Sequence, residues 1–170
     1  MSSQNPVLSR EEVHRLSEEC ATMGTRFQSQ AQRLLNDQPV LLRFFKSNLS
    51  AMSSQTGEVT LYLLAVCVRV FVRSGGRLRR VTTGDVELAT RRIGAVAPNL
   101  LPADAQFPER LRTLGSRAQP HLLDEALWAL FERKERQPGE VDLEPDQALR
   151  VFLMLWAAVE CLDAAWTPKD

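Results

Sequence analysis

Gln38-Pro39-Val40-Leu41-Leu42 recurs as Gln119-Pro120-His121-Leu122-Leu123, at an offset of 81 residues. Gly57-Glu58-Val59 recurs as Gly139-Glu140-Val141, at an offset of 82. Two separate matches at nearly one offset point to a duplicated unit. In each copy a Gln-Pro pair opens an amphipathic segment. Pro suits a first helical turn because its missing N–H has no intrahelical partner there. Each copy then leads into a strongly apolar segment, Leu61 to Val72 in the first and Val151 to Leu162 in the second. The first is rich in β-branched residues, but its length exceeds that of an ordinary strand and selects helix. A helix apolar almost all round belongs at the centre of a bundle. Leu61, Leu64, Val68, Phe71, Phe152, Leu155, Trp156 and Val159 are the expected core.

Working outward, Ser9-Arg10-Glu11-Glu12 is a capping box, in which the Ser hydroxyl and the Glu carboxylate each bond an amide of the first turn. Val13, Leu16, Cys20, Met23, Phe27 and Leu34 follow in a narrow heptad stripe broken by Gln30, which predicts one helix over about 10–35. Thr56 is the expected cap of the helix carrying the first apolar segment, and Ser74-Gly75-Gly76 is its stop. A further helix runs from Thr82 to near Gly94. Pro98, Pro102 and Pro108 mark the seam between the copies, with a short helix over Pro108 to Leu114. The next helix spans Pro120 to Arg136. The last starts at Glu144-Pro145 and reaches Trp166. The expected fold is all-α: a compact bundle of about six or seven helices from a duplicated helical hairpin. It forms a single domain over 1–170, with repeat halves at about 37–95 and 118–166.

The chain carries 21 basic and 21 acidic residues, so global charge does not point to nucleic acid or an anionic membrane. Local charge is uneven. Arg69, Arg73, Arg77, Arg79, Arg80, Arg91 and Arg92 face only Asp85 and Glu87 in their segment, whereas the stretch after Gln137 is acidic. Phosphate contact requires such donors on one exposed face. Arg73, Arg77, Arg79, Arg80, Arg91 and Arg92 are therefore the candidate anion or partner contacts. The run from Arg77 to Arg92 resembles the last loop and helix of a histone fold over about one-tenth of the chain. No function is carried over from it.

Other chemistry is sparse. His14 and His121 are the only histidines. Glu11-x-x-His14 has di-iron spacing, but a di-iron bundle needs a second such motif, and Arg117-Ala118 stands before His121 where an acid is required. Cys20, Cys67 and Cys161 lie singly in apolar segments, which suits reduced core thiols and excludes a structural zinc knuckle. No Gly-rich phosphate loop is present; Ser74-Gly75-Gly76 is a helix stop. Glu140 to Asp146 lacks the ligand order of a calcium loop. Catalytic, cofactor and metal residues are accordingly expected to be none. The N-terminus lacks the basic start and apolar run of a signal peptide. Arg69 interrupts the first apolar segment, and Arg150, Glu160 and Asp163 the second, against a membrane span. The preference for Arg over Lys suggests a GC-rich bacterial genome. These readings predict a non-catalytic protein–protein interaction or scaffolding domain in a bacterial cytoplasm, with a protein partner or self-association. Nucleic-acid binding through residues 69–92 is the alternative.

Overall fold

The computed structural model describes residues 5–114, 117–132 and 143–170. Among them are eight α-helices: α1 (Arg10–Met23), α2 (Thr25–Asn36), α3 (Pro39–Leu49), α4 (Ser54–Arg73), α5 (Thr83–Val96), α6 (Phe107–Arg112), α7 (Pro120–Leu127) and α8 (Pro145–Ala165). The fold is all-α. The second half of the Gly-Glu-Val match and the acids Glu140 and Asp142 lie outside the described residues.

Helices α4 and α8 pack on each other at the centre. Their apolarity leaves little choice. Residues 64–71 of α4 are buried without interruption, and α8 buries Val151, Phe152, Leu155, Trp156 and Val159 among others. Of the expected core, Leu61 alone is only half-buried. Helices α1, α2 and α3 cover α4, while α5 and α7 cover α8. The buried apolar residues form one continuous cluster. Helix α4 has the length and apolarity of a membrane span, and more than half of it is buried inside the bundle.

The ends of the two central helices are tied together. Arg77–Leu78 (β1) pairs antiparallel with Trp166–Thr167 (β2), in the register Arg77 to Thr167 and Leu78 to Trp166. Gly76 (φ 75°) permits this approach: a methyl group there would run into the Thr167 carbonyl and sit 2.8 Å from Pro168 Cα. The buried Trp166 ring packs edge-on against Phe71, and its indole N–H donates to the Gly75 carbonyl at 2.9 Å.

Local differences from the sequence reading have plain causes. The heptad stripe spans two helices rather than one, because Gly24 (φ 58°) turns the chain between α1 and α2. The cap of α4 is Ser53, whose hydroxyl accepts from the Thr56 amide at 3.2 Å, so α4 begins a turn before Thr56 and contains Gly57. Helix α7 continues as a π-helical turn over Trp128–Glu132. The short seam helix is α6, preceded by a 3₁₀ turn at Ala97–Leu100. Thr82 and Asp85 form a reciprocal capping box at the start of α5. At the start of α1 only half of the expected box forms: the Ser9 hydroxyl accepts from the Glu12 amide, while the Glu12 carboxylate turns to the Arg15 guanidinium.

The two Gln-Pro starts perform the same task. Gln38 and Gln119 are both buried. Gln38 donates from Nε2 to the Arg79 carbonyl (3.1 Å) and accepts at Oε1 from the Val81 amide (2.9 Å). Gln119 donates to the Pro6 carbonyl (2.9 Å) and accepts from the Leu8 amide (2.9 Å). Each side chain thus clamps the first carbonyl and third amide of a tripeptide outside any helix. Each tripeptide then enters a capped helix, α5 at Thr82 and α1 at Ser9. The second clamp reaches the opposite end of the chain, so the N-terminal strap completes the C-terminal half. Gln119 holds its clamp from a left-handed backbone (φ 47°), and its Nε2 also donates to the buried Asp163 at 2.9 Å. Truncating either glutamine strands backbone groups that are partly buried, the Val81 amide most deeply. Gln38→Ala and Gln119→Ala are each expected to lower unfolding free energy by about 1–3 kcal/mol in urea titrations. Near-zero losses in both would mean the clamps are idle.

Candidate functional site

The seven arginines of 69–92 do not converge. Arg69 is buried on α4 and spans the gap to α1 and α2: Nε donates to Gln30 Oε1 at 2.8 Å, and Nη2 lies 3.3 Å from Glu19 Oε1. Gln30, which breaks the heptad stripe, is therefore the polar partner this guanidinium requires. Arg79 forms a two-pronged pair with Asp85 (2.7 and 3.3 Å). Burial works to raise the Asp85 carboxyl, but the Arg79 guanidinium and the Thr82 backbone and hydroxyl bonds outweigh it and hold it below the ordinary range. Arg92 pairs with Glu160 of α8 at 3.1 Å. Arg73, Arg77, Arg80 and Arg91 are exposed and carry no ion pair among the described residues; they are spread over the end of α4, β1, the following loop and α5. The run resembling the end of a histone fold is β1, its loop and α5, docked on α8.

Two concave surfaces stand out instead. The first is an apolar groove of about 460 Å³ between α3, α5 and α8. Phe44 and Asn48 form one wall, Thr90 and Ile93 the other, and Leu153, Met154 and Ala157 the floor. Met52 and Met154 supply flexible, polarizable side chains to its lining. Arg150 is the one charged residue lining the groove, and it makes no ion pair among the described residues. Gly94 lines it too. A Cβ at Gly94 would meet nothing within 4 Å, so the position tolerates a side chain in space. A glycine inside a helix costs about 1 kcal/mol against alanine. Keeping glycine there leaves the groove wall open.

The second surface is a cleft of about 310 Å³ between α1 and α7. It brings together both histidines of the chain, which sequence spacing left 107 residues apart. His14 Nδ1 lies 3.0 Å from Glu125 Oε1, linking α1 to α7. Asp124, one residue earlier, is held by Arg117 at 3.1 Å, with Arg112 Nε at 3.7 Å and Arg10 at 3.9 Å. Arg112 also pairs with Glu132 and with Glu109. Trp128 exposes half of its surface at the rim. Glu11 of the di-iron-like spacing is exposed, and among the described residues no three His, Cys, Asp or Glu side chains are grouped to hold a metal. Periodicity could not show this cleft, because its members come from α1, α6 and α7.

The cysteines are free and buried. Burial pushes the Cys67 thiol up to about 12, aided by neighbouring Cys20, and pushes Cys161 up to about 12, aided by Asp85 and Glu160. Burial also raises Cys20, against the pull of the Arg69 guanidinium. Compared with protein-family models, curated proteins and solved structures, this all-α bundle matches none.

The thiol shifts carry a pH dependence. A thiol whose folded value is raised keeps its full stabilising contribution below the unfolded value of 9.0 and loses it as pH rises toward about 12. Folding stability should therefore fall above pH 9, and Cys67→Ser with Cys161→Ala should flatten that fall. Equilibrium unfolding from about pH 7 to about pH 10.5, a range that brackets the ordinary thiol titration, measures it.

Proposed function

We propose that the chain is a non-catalytic helical protein-interaction domain of a bacterial cytoplasm, and that the α3–α5–α8 groove is where it takes its partner. The carrying observation is that groove: apolar walls from three helices, an open wall at Gly94, and one cation, Arg150, with no ion pair among the described residues. Grooves of this kind receive the apolar face of an amphipathic helix, read as anchors at i, i+3 or i+4, and i+7. The occupant is such a helix from another protein, bearing an acid that meets Arg150. Free, buried thiols accord with a reducing compartment. The same reading takes the bundle as a duplicated helical hairpin, supported by the matched clamps of Gln38 and Gln119.

A displayed library of helical peptides, panned on the full chain, tests the groove. Enriched peptides should carry an apolar face with an acid beside it. Gly94→Leu fills the groove without touching the core, so it should preserve or raise stability while weakening those peptides about tenfold or more. Arg150→Glu should weaken the acidic peptides selectively. Peptides indifferent to both changes, or a stable dimer in light scattering that buries the groove, would overturn the reading.

Nucleic-acid binding through the arginine segment is the second reading, supported by four exposed arginines with no ion pair among the described residues. It is disfavoured because Arg69, Arg79 and Arg92 serve internal pairs. Mobility shifts on duplex and single-stranded probes at low salt should show no complex. A complex whose log affinity falls with log salt at a slope of about −3 to −4 would instead establish it.

A further inference from the structure

We propose that the cleft between α1 and α7 is a binding site for a small aromatic carboxylate, independent of the apolar groove. The cleft's fixed charges are mostly consumed by one another. Asp124 is met by Arg117 at 3.1 Å, Glu125 by His14 at 3.0 Å, and Arg112 is engaged by Glu109 and Glu132. Arg10 is the exception. Its guanidinium is 3.9 Å from an acid that already has a closer partner, and its side chain is three-quarters exposed. It is the cation free to swing toward a ligand and grip a carboxylate with two parallel N–H donors.

Two further observations point to the same ligand. His121 lines the cleft, and its Nδ1 is buried with no hydrogen-bond partner among the described residues. Buried polar atoms in folded proteins are normally satisfied; this one is closed off from solvent, so a ligand reaches it by a turn of the His121 ring toward the cleft. Trp128, two turns further along on the same side, presents half its surface at the rim, a platform for a flat ring. Arg10 and His121 supply the polar end of the site and Trp128 the apolar end. A volume of about 310 Å³ admits one small ring system with its acid, and is too small for a polymer segment. His14 acts as a positioning residue: its bond to Glu125 holds α1 at a fixed distance from α7 and so sets the width of the cleft.

Titration of the full chain with 1-naphthoate tests the site. Amide and side-chain NMR signals of His121, Trp128 and Arg10 should move together. Tryptophan emission should also change, since Trp156 and Trp166 are buried and Trp128 is the half-exposed indole. 1-Naphthamide, which lacks the charge, and inorganic phosphate, which lacks the ring, should each bind about tenfold or more weakly. Arg10→Gln and Trp128→Leu change exposed positions, so circular dichroism should be unchanged while 1-naphthoate affinity drops about tenfold. Gly94→Leu, which fills the distant groove, should leave that affinity unaltered. No binding of 1-naphthoate, equal binding of the amide or of phosphate, or unchanged affinity in both variants would overturn the proposal.

Discussion

Two helices apolar on nearly every side have to be enclosed, and the rest of the chain is arranged around that requirement. Exposed to water, α4 and α8 would forfeit burial worth about 25 cal/mol for each Å² of apolar surface. Packed on each other, they still present most of their circumference outward. Helices α1, α2 and α3 close one side and α5 and α7 the other. The β1–β2 ribbon then fixes the ends of the pair, and Gly76 is the residue that lets the two strands meet.

Enclosure by separate helices creates joints, and the joints are polar. Backbone entering α1 or α5 lies outside any helix and is partly shielded from water, so its amides and carbonyls need partners. Gln38 and Gln119 provide them with the same two bonds. The buried Arg69 solves a related problem inside α4. Its guanidinium is matched by Gln30 on α2 and Glu19 on α1, which binds both covering helices to the central one. A charge this deep is tolerable because both partners arrive with it.

The surfaces left over are where the covering is incomplete. Along α8 the α3 and α5 helices stand apart at Gly94, leaving an apolar groove with Arg150 at its side. Between α1 and α7 the gap is lined by charged and aromatic residues instead. The two concavities thus differ in chemistry because the helices bordering them differ in sequence: α5 presents Thr90, Ile93 and Gly94, whereas α7 and its π-helical continuation present His121, Asp124, Glu125 and Trp128.

The sequence by itself determined what depends on neighbours along the chain. Helix starts at Gln38-Pro39, Gln119-Pro120 and Thr82, the stop at Gly75-Gly76 and the burial of the two apolar segments were all legible from local chemistry and period. Where local signals competed, as between Ser53 and Thr56 for one cap, or along the stripe that Gly24 divides, they misplaced a boundary. Tertiary structure alone decided what depends on distance in space. It turned the repeated glutamines into clamps, paired Arg69, Arg79 and Arg92 internally, and brought His14 beside Glu125. Periodicity reports which side of a helix is buried; it carries no information about which other helix that side will meet.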